Sequence, residues 1–434
     1  MSSKDQNLFS KILSVCKARG FLFPSSEIYG GLNSCWDYGP LGVQLKNNLK
    51  KQWWDNMTKR SDVTGLDSSI FMHPKVWEAS GHLEGFTDPL SDCKDCKHRF
   101  RLDKDTKACP QCGSKNITKS RNFNLMFKSF MGPVEEESSV VYLRPETAQG
   151  IYVNFLNVQQ SMRYIIPFGI AQIGKAFRNE ITPSHSVFRA REFEQMEMQF
   201  FTSEQGSEKW FEYWRSERRQ QLLSLGLKET ELHFKTHSKE ELAHYAKKAE
   251  DIEFDFPWGR RELEGLHNRG AFDLSRHQQF SGKKLQYFCP EQNKSYLPYV
   301  IETSIGADRL FLAVLCSAYT EETVKNETRK LLKLKSHIAP VQIAVLPLSK
   351  KPALTSLCEK LYSDLQKNWF AEYDASGSIG KRYRRQDEIG TPFCATIDFE
   401  TCEDNKLTVR ERDSMRQERI PIESLNAFLK DNLS

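Results

Sequence analysis

The sequence contains no uninterrupted apolar stretch of about 18 residues, the length that a membrane-spanning helix requires. The first residues, with Lys4 and Asp5 ahead of Leu8 and Phe9, lack the apolar run of a secretory signal. There is no long polar low-complexity tract and no repeat with a period of about 20 to 50 residues, which argues against a disordered chain and against a solenoid. We therefore expect a globular, cytoplasmic protein with no membrane association.

The 434 residues, 39% of them hydrophobic, are enough to form at least two hydrophobic cores. The formal net charge of +5 is compatible with a polyanionic partner, but it is too common among soluble proteins to indicate one. In the cytosol the eleven cysteines would be reduced, so we interpret them as core residues or metal ligands before disulfides.

Hydrophobic periodicity divides the chain into two regions, which we predict to be domains at 1–337 and 338–434. In the first region, helices are predicted over 8–16, 40–53, 209–225 and 240–251, and strands over 140–143, 162–166, 170–178 and 191–202. In the second region, strands are predicted over 341–346, 393–399 and 407–412, and a helix over 354–365. The first pattern implies a sizeable antiparallel sheet, and the second implies an α/β domain.

The helix that begins at Pro40 carries one apolar stripe, because Leu41, Leu45, Leu49 and Trp53 are spaced by four residues. Such a stripe either packs against its own domain or lies at a subunit interface. The sequence leaves both alternatives open.

Residues 91–121, which we call the four-cysteine insertion, have few large apolar side chains and are predicted to be a small insertion in the first domain. Cys93, Cys96, Cys109 and Cys112 form two CxxC pairs separated by twelve residues, a spacing at which two tight turns bring four thiolates to the corners of a tetrahedron. We predict a structural zinc ion, with reduced surface thiols as the alternative. A closed four-sulfur site has no open coordination position, so it would not be catalytic.

The segment 177–197 is predicted to be a hairpin with one polar face. Met196, Met198 and Phe200 alternate with Phe193, Gln195, Glu197 and Gln199, so one face is core and the other is polar. Such a face is usually solvated. Here Arg178, Glu180, Arg189 and Arg191 lie at its ends with aromatic residues among them, and arginines can hold phosphate while an aromatic ring stacks on a base.

A third segment, 299–312, is predicted to be a strand, a turn of small residues and an apolar helix. Arg309 falls in the first turn of that helix, where the backbone N–H groups and the helix dipole also favour an anion. The alternative is a surface ion pair with Asp308 or another carboxylate.

Several motifs together resemble a known family. They are GLNSCWDYGPLG at 31–42, PKVWEASGHL at 74–83, RPETAQGIYVNF at 144–155, FRNE at 177–180, REFEQME at 191–197, GADR at 306–309 and SIGKRYRRQDEIGTPFC at 378–394. They resemble the signature motifs of class II aminoacyl-tRNA synthetases, and the sequence between them is similar to glycyl-tRNA synthetases of the single-polypeptide, homodimeric type. The resemblance covers nearly the whole chain.

The resemblance implies an α+β fold, in which helices flank an antiparallel sheet, with a zinc-ribbon-like insertion and a C-terminal α/β anticodon-binding domain. It also implies a homodimer built partly through the 41–53 helix, and the substrates glycine, ATP with Mg²⁺, and tRNA(Gly). In such enzymes the glycine carboxylate attacks the α-phosphorus of ATP, and the glycyl group then passes to the terminal ribose of the tRNA. Arginines and Mg²⁺ therefore matter more than a nucleophilic side chain.

Roles in ATP binding follow by resemblance only. Arg178 would hold the α-phosphate and Arg309 the γ-phosphate, while Phe193 would stack on adenine with Glu180 near the adenine amino group. The other implied ATP positions are Asn179, Phe188, Arg189, Ala190, Arg191, Glu192, Glu262, Leu263, Gly306, Ala307 and Asp308.

The implied glycine positions are Arg101, Glu146, Phe193, Glu194, Gln195, Met196, Glu197, Glu302, Thr303, Ser304, Ile305 and Gly306. Glycine has no side chain to recognise, so its ammonium must be held by carboxylates such as Glu146 and Glu302, with Ser304 as a steric stop. This chain departs from the family at Thr303, where relatives commonly have proline. Many relatives also lack the full cysteine quartet, so zinc cannot be essential to the family's chemistry.

Lys381–Arg385 places four basic residues around Tyr383, and either contacts RNA or forms a solvated helix face. Residues 338–434 contain 14 Lys and Arg against 15 Asp and Glu, so any RNA contact there would be local.

Three other classes of protein fit this sequence less well. A non-catalytic relative of synthetases would lack the ATP arginines, which are present. A synthetase for serine or proline is disfavoured by Glu146, Glu302 and the REFEQME run, and a zinc-dependent nucleic-acid module leaves both arginine motifs unexplained.

Overall fold

The computed structural model describes residues 3–102, 106–181, 184–238, 240 and 246–433. The helices are α1 (Ser3–Ala18), α2 (Pro40–Thr58), α3 (Pro74–Ala79), α4 (His82–Gly85), α5 (Ala148–Val153), α6 (Phe155–Met162), α7 (Ser207–Ser224), α8 (Phe272–Ser281), α9 (Ala307–Ala318), α10 (Pro352–Leu365), α11 (Ile379–Ile389), α12 (Thr401–Asp404) and α13 (Leu425–Leu433). Short 3₁₀ helices cover Glu27–Tyr29, Glu137–Ser139, Ser186–Phe188, Glu229–Glu231, Ser336–Ile338 and Ile422–Ser424. No helix of the described ranges is long and apolar enough to cross a membrane.

The strands are β1 (Leu22–Pro24), β2 (Trp36–Tyr38), β3 (Val63–Gly65), β4 (Thr87–Asp92), β5 (Arg99–Arg101), β6 (Arg121–Asn124), β7 (Lys128–Phe130), β8 (Val140–Tyr142), β9 (Phe168–Phe177), β10 (Glu192–Thr202), β11 (Leu232–Thr236), β12 (Lys248–Phe256), β13 (Gly259–Gly270), β14 (Tyr287–Cys289), β15 (Lys294–Tyr296), β16 (Tyr299–Gly306), β17 (Tyr319–Val324), β18 (Glu327–Leu332), β19 (Ile343–Pro347), β20 (Ala371–Tyr373), β21 (Phe393–Ile397), β22 (Lys406–Glu411) and β23 (Gln417–Pro421).

A seven-stranded sheet forms the centre of the larger region, in the order β11-β12-β13-β16-β10-β9-β3. Its neighbours pair antiparallel except β3 and β9, which are parallel. Apolar side chains of α2, α7 and α9 pack with one face of this sheet in the main core, and those of α5 and α8 pack with the other face in a second cluster. The predicted antiparallel sheet with flanking helices is therefore confirmed.

The apolar stripe of α2 packs within the chain. Leu45, Leu49 and Trp53 are each at most 1% exposed and belong to the main core. Pro40 occupies the first turn of the helix, where its missing N–H costs no hydrogen bond. Of the two alternatives for this stripe, packing against its own domain is the one observed.

Two predictions of local structure are wrong. Residues 163–166 form no strand, because Arg163 ends α6 in a left-handed conformation (φ 57°) and Tyr164 and Ile166 pack beside Phe168 instead of pairing. Of the helix predicted over 240–251, residues 241–245 lie outside the described residues, and residues 248–251 belong to strand β12. In residues 163–166 the apolar side chains therefore pack into a core cluster without forming a strand.

A three-stranded sheet, β5-β4-β6, contains β5 of the four-cysteine insertion and the two strands at the ends of the insertion. It is fastened to the end of β9, because the Asn179 N–H donates to the Leu125 carbonyl at 2.7 Å. Asn124 Nδ2 donates to the carbonyls of His82 and Leu83 at 3.0 and 2.9 Å. These bonds hold the insertion beside the central sheet.

A second, five-stranded sheet lies in the carboxy-terminal region, in the order β20-β19-β21-β22-β23. Strand β19 is parallel to both β20 and β21, whereas the β21–β22 and β22–β23 pairs are antiparallel. Ile343 and Val345 pack with α10 and α13 on one face, while Ala344 and Leu346 pack with α11 on the other. This is the alternation of a strand covered by helices on both sides.

A buried ion-pair cluster joins the two regions. Asp387 on α11 accepts hydrogen bonds from Arg329 on β18 at 2.8 Å and from Arg410 on β22 at 2.9 and 3.1 Å. Arg412 donates to the Leu334 carbonyl at 2.8 Å. Because Arg329, Asp387 and Arg410 are at most 7% exposed, these charges fix α11 against the β17–β18 hairpin.

The basic run Lys381–Arg385 lies on α11, and much of it is committed to the fold. Arg382 is 2% exposed and donates to the carbonyls of Pro347, Ala375 and Gly377. Tyr383 Oη is 2.6 Å from Thr396 Oγ1. Arg385 pairs with Asp374 at 2.5 Å. Arg382 is therefore a structural residue, whereas Lys381 and Arg384 of the run are exposed.

Candidate active site

The polar face of β10 forms the floor of a cavity of about 200 Å³, which we call the central cavity. Phe193, Gln195 and Glu197 line it, whereas Met196 on the opposite face of the strand is fully buried in the core. On the neighbouring strand, Ser304 pairs with Glu197. The predicted alternation of β10 is therefore observed, and β16 extends the same polar floor.

Glu302 is held by three donors inside the cavity. His267 Nδ1 is 2.9 Å from its carboxylate, the guanidinium of Arg269 is 3.1 and 3.2 Å away, and Gln199 Nε2 donates at 2.8 Å. Burial opposes ionisation, but Arg269 and His267 outweigh it and lower the pKa of Glu302 to about 2. Glu302 is therefore a fixed anion.

Glu197 lies beside it with a different environment. It accepts hydrogen bonds from the Thr147 N–H at 3.1 Å, from the Thr147 hydroxyl, from Ser304 Oγ at 2.8 Å and from Gln195 Nε2 at 3.3 Å. All of these donors are neutral. Burial, together with the negative charges of Glu302 and Glu146, raises the pKa of Glu197 to about 7.

Glu146 supplies a third carboxylate to the cavity. Gln149 Nε2 donates to it at 2.8 Å, and His82 Nε2 lies 3.4 Å from it. Burial again opposes ionisation, but His82 and Arg269 outweigh it, so that the pKa of Glu146 lies well below its ordinary value. The carboxylates of Glu146, Glu197 and Glu302 thus line one small cavity.

Two arginines line the same cavity. The guanidinium carbon of Arg178 lies 5.2 Å from the ring centre of Phe193, and its Nε donates to the Pro145 carbonyl at 3.0 Å. Arg309 lies in the first turn of α9, 4.7 Å from the ring centre of Phe188 and 3.4 Å from Glu262. The attraction of Arg309 lowers the pKa of Glu262. Strand β16 passes directly into α9, without the predicted intervening turn.

The hairpin arginine Arg189 links the cavity to the four-cysteine insertion. Its Nη2 lies 2.6 Å from Glu180 and 3.7 Å from Asp88 on β4. Asp88 also pairs with Arg101 at 3.2 Å. Arg101 therefore does not line the cavity, but it contacts Asp88, which in turn contacts Arg189 of the cavity wall.

The structure brings most of the predicted positions into the cavity wall. Those that line it are Glu146, Arg178, Glu180, Phe188, Arg189, Ala190, Phe193, Gln195, Glu197, Glu262, Leu263, Glu302, Ser304, Gly306, Asp308 and Arg309. Those outside its wall are Arg101, Asn179, Arg191, Glu192, Glu194, Met196, Thr303, Ile305 and Ala307. Met196, Ile305 and Ala307 are core residues, and Asn179 and Arg191 line a neighbouring groove.

Asp308 and Glu194 belong to a buried ion cluster with α2. Lys46 is 6% exposed and lies 2.7 Å from Asp308 and 3.0 Å from Glu194. Asp308 also accepts from the Glu194 N–H at 2.7 Å and from the Tyr38 hydroxyl. This cluster fixes the start of α9, and with it the backbone of Arg309.

Sequence reasoning missed four residues of the cavity wall: Val187, Gly265, His267 and Arg269. Gly265, His267 and Arg269 lie at alternate positions of β13, and this spacing is the one feature of the sequence that could have placed them on a common face. Arg269 is 4% exposed and is bound by Asp273 at 2.8 and 2.9 Å. It therefore presents a firmly held cation to Glu302.

The four cysteines of the insertion meet as predicted. Their Sγ atoms lie within 4.8 Å of one another, and the Cys93–Cys112 and Cys96–Cys109 distances are both 3.6 Å. A tetrahedral zinc with Zn–S bonds of about 2.3 Å requires sulfur separations of about 3.8 Å. The cluster therefore fits a zinc ion.

Comparison with known proteins decides the family. A family model described as the tRNA synthetase class II core domain (G, H, P, S and T) matches residues 129–319, and one described as an anticodon binding domain matches 342–432. A glycine–tRNA ligase of Treponema denticola is 53% identical over 436 residues, covering 98% of this chain and 96% of the relative. The chain belongs to the glycine–tRNA ligase family.

Two further glycine–tRNA ligases match over nearly their full length. That of Geobacillus kaustophilus is 50% identical, with 98% of each chain covered, and that of Borreliella burgdorferi is 52% identical, with 97% of each covered. The chain is thus an aminoacyl-tRNA synthetase of class II. As a glycine–tRNA ligase it requires ATP.

Proposed function

We propose that the central cavity binds ATP and glycine side by side, forms glycyl adenylate with release of pyrophosphate, and passes the glycyl group to the terminal ribose of tRNA(Gly). One observation carries this proposal: Glu146, Glu197 and Glu302 line the same cavity as the two arginines Arg178 and Arg309. A carboxylate-lined region suits an ammonium group, and the guanidinium groups suit a triphosphate.

ATP would lie along the wall that carries the arginines. Arg178 would hold the α-phosphate, where the glycine carboxylate attacks, and Arg309 would hold the γ-phosphate with the help of the α9 N-terminus. Phe193, beside Arg178, would stack on adenine, and Glu180 would accept from its amino group. Mg²⁺, when bound, would supply further positive charge to the phosphates.

The charged groups act by position. Glycine and ATP are both bound before the carboxylate oxygen meets the phosphorus, so the reaction becomes effectively unimolecular. Negative charge grows on the phosphate oxygens as pyrophosphate leaves, and Arg178 and Arg309 stabilise it there. The ribose hydroxyl then attacks the carbonyl carbon of the adenylate, and AMP leaves.

Glycine would be recognised through its ammonium group. The fixed anion Glu302, with Glu146 and Glu197, would accept its N–H donors, and Ser304 would occupy space that a larger side chain needs. Ser304 Oγ donates to Glu197 at 2.8 Å, so it also holds that carboxylate. If Ser304→Gly left discrimination against alanine unchanged in pyrophosphate exchange, this steric role would be wrong.

The decisive experiment is ATP–pyrophosphate exchange with a panel of amino acids that includes alanine, serine and proline. Glycine alone is expected to stimulate exchange, and Arg309→Gln should lower the rate by about 10²- to 10³-fold, as loss of one charge-stabilising donor does. Arg260→Gln, on the exposed end of β13 and paired with Asp255, is the matched control. The absence of glycine-dependent exchange would refute the proposal.

The cluster of four cysteines would hold one structural zinc ion and so order the insertion. The purified protein is expected to contain about one zinc per chain, measured by elemental analysis. Cys109→Ser should lose it, whereas Cys402→Ser, which removes an exposed cysteine elsewhere, should not.

A homodimer is the expected assembly. Ile28, Tyr29 and Ile165 are 88%, 87% and 69% exposed, and a second copy would bury such side chains. Sedimentation should give twice the 50.3 kDa mass of the chain. Ile165→Asp should lower that mass if its surface is the interface, with Phe370→Asp as the control.

A further inference from the structure

Helix α8 carries two buried polar side chains that do not line the central cavity. Asp273 and His277 are 2% and 6% exposed, and they lie on one face of the helix because they are four positions apart. Burying a polar group is unfavourable unless it is paired. The partners of these two side chains therefore show what this face of α8 does.

Asp273 holds Arg269 from behind the cavity. Nε and Nη2 of Arg269 donate to Asp273 at 2.8 and 2.9 Å, while Nη1 of the same guanidinium group faces Glu302 at 3.1 and 3.2 Å. The planar group is thus shared between a carboxylate outside the cavity and one inside it. Because Asp273 offsets the positive charge of Arg269, Glu302 keeps negative charge with which to attract a cationic ligand.

His277 holds Gln149 in a similar way. Its Nε2 lies 2.8 Å from Oε1 of Gln149, and Nε2 of Gln149 donates to Glu146 at 2.8 Å and to Asp273 at 3.2 Å. The reverse orientation of this amide would place its oxygen against two carboxylates, so the NH2 group must face them. The amide oxygen then faces His277 and needs a donor there. Burial lowers the pKa of His277, so the donor is the Nε2–H group of a neutral imidazole.

We propose that Asp273 and His277 are positioning residues for the ammonium group of glycine. Each acts through one intervening side chain on one carboxylate of the cavity, Asp273 on Glu302 and His277 on Glu146. This inference rests on the proposed function, because it requires glycine to bind between these carboxylates. One face of α8 thus fixes the position and the charge of two anions that the ammonium group meets.

The test is the kinetics of glycine-dependent ATP–pyrophosphate exchange in Asp273→Asn and His277→Leu. Asparagine keeps the shape of the side chain but not its charge, and leucine keeps most of the volume but not the donor. The KM for glycine should rise by at least about tenfold in each variant, the equilibrium equivalent of one hydrogen bond to a charged group. The KM for ATP should stay within about twofold of wild type. kcat should change less than the KM for glycine, because the ammonium group takes no part in bond making.

Two inhibitors separate the charge of the ammonium group from the shape of the cavity. A sulfamoyl analogue of glycyl adenylate carries the ammonium group, and its glycolyl counterpart carries a neutral hydroxyl group in the same place. Asp273→Asn should raise the inhibition constant of the first by about tenfold and that of the second by less than about twofold, because only the first bears the charge that Glu302 attracts.

Three control variants make the result specific. His277→Gln places an amide N–H group near the position of Nε2 and should restore the KM for glycine to within about threefold of wild type. Leu274→Ala opens a cavity in the core beside the same helix, so it should lower the thermal midpoint of unfolding without raising this KM. Gln279→Ala, at an exposed position of α8, should behave as wild type.

The outcomes distinguish a role in glycine binding from a structural one. An unchanged KM for glycine in Asp273→Asn or in His277→Leu would overturn the role of the residue concerned while leaving the proposed function intact, as would a KM in His277→Gln as high as in His277→Leu. An equal rise in the KM values for glycine and ATP, or an equal loss of both inhibitors, would also overturn the inference, because α8 would then support only the shape of the cavity. A wild-type protein without glycine-dependent exchange would instead refute the proposed function, and this inference with it.

Discussion

Glycine binding should release a proton from Glu197. The carboxyl group is buried among neutral donors, and its pKa is raised to about 7. Its protonated form carries no charge with which to attract an ammonium group. Glycine therefore binds best to the ionised form, and its binding must shift Glu197 toward that form, since the two equilibria are linked.

The direction and size of the effect follow from this pKa. One pH unit below it, about one in eleven molecules has Glu197 ionised, and one unit above it about ten in eleven do. If only the ionised form binds glycine, the KM for glycine is about tenfold higher at pH 6 than at pH 8. The ammonium group of glycine stays protonated throughout this range, so it adds no opposing trend.

The assay is pyrophosphate exchange at pH 6, 7 and 8 with saturating ATP and Mg²⁺, and with glycine varied. Glu197→Gln removes the titrating group, so its KM should be high and nearly constant with pH, while the exposed Glu208→Gln should behave as wild type. Calorimetry of glycine binding in two buffers of different ionisation enthalpy should show about 0.9 proton released at pH 6 and about 0.1 at pH 8. Equal KM values at pH 6 and 8, with no proton released, would refute the reasoning.

Four other substitutions test the structure. Gly42→Ala should destabilise the protein by about 1–3 kcal/mol in urea unfolding, because a Cβ at residue 42 would lie 1.8 Å from the Phe21 carbonyl oxygen. Gly380→Ala should instead stabilise α11 by about 0.5–1 kcal/mol, because a Cβ there meets open space and alanine favours a helix more than glycine does. Asp387→Leu should cost about 3–5 kcal/mol in the same assay, because it leaves the buried Arg329 and Arg410 without their shared carboxylate. Thr303→Val should leave the KM for glycine unchanged, because Oγ1 of Thr303 is buried with no hydrogen-bond partner among the described residues. A raised KM would contradict this prediction and place the hydroxyl in the glycine site.

The features that sequence reasoning predicted correctly are those with one dominant local period. Strand β10 alternates strictly from Gln195 to Phe200, so the sequence alone assigns both faces over that stretch. The CxxC pairs and the apolar stripe of α2 are equally regular. In each of these segments the local pattern and the tertiary contacts agree.

Strand β13 shows why other residues were missed. Its register slips between Asn268 and Gly270, and β12 opposite it slips between Ile252 and Glu253. The face of β13 that packs against α7 also carries Glu264, which is buried against Arg218. In the sequence alone a glutamate at this position suggests a surface residue. Because both faces of β13 carry charged residues, the sequence does not show a polar face with Gly265, His267 and Arg269 opposite an apolar one.

The burial of Arg382 within the run Lys381–Arg385 was not predicted, for a related reason. Basic residues in sequence suggest a surface for RNA, but a guanidinium group can be buried when backbone carbonyls accept its N–H groups, as they do for Arg382.

The charges in the central cavity favour a small cationic substrate. Three carboxylates in so small a space repel one another, and each must be compensated to be ionised. Glu302 has Arg269 and His267, and Glu146 lies beside His82. The hydrogen bonds that Glu197 accepts from the described residues come only from neutral groups. The ammonium group of glycine would supply the cation that Glu197 lacks, so affinity would come from charge rather than from contact with a side chain, which glycine does not have.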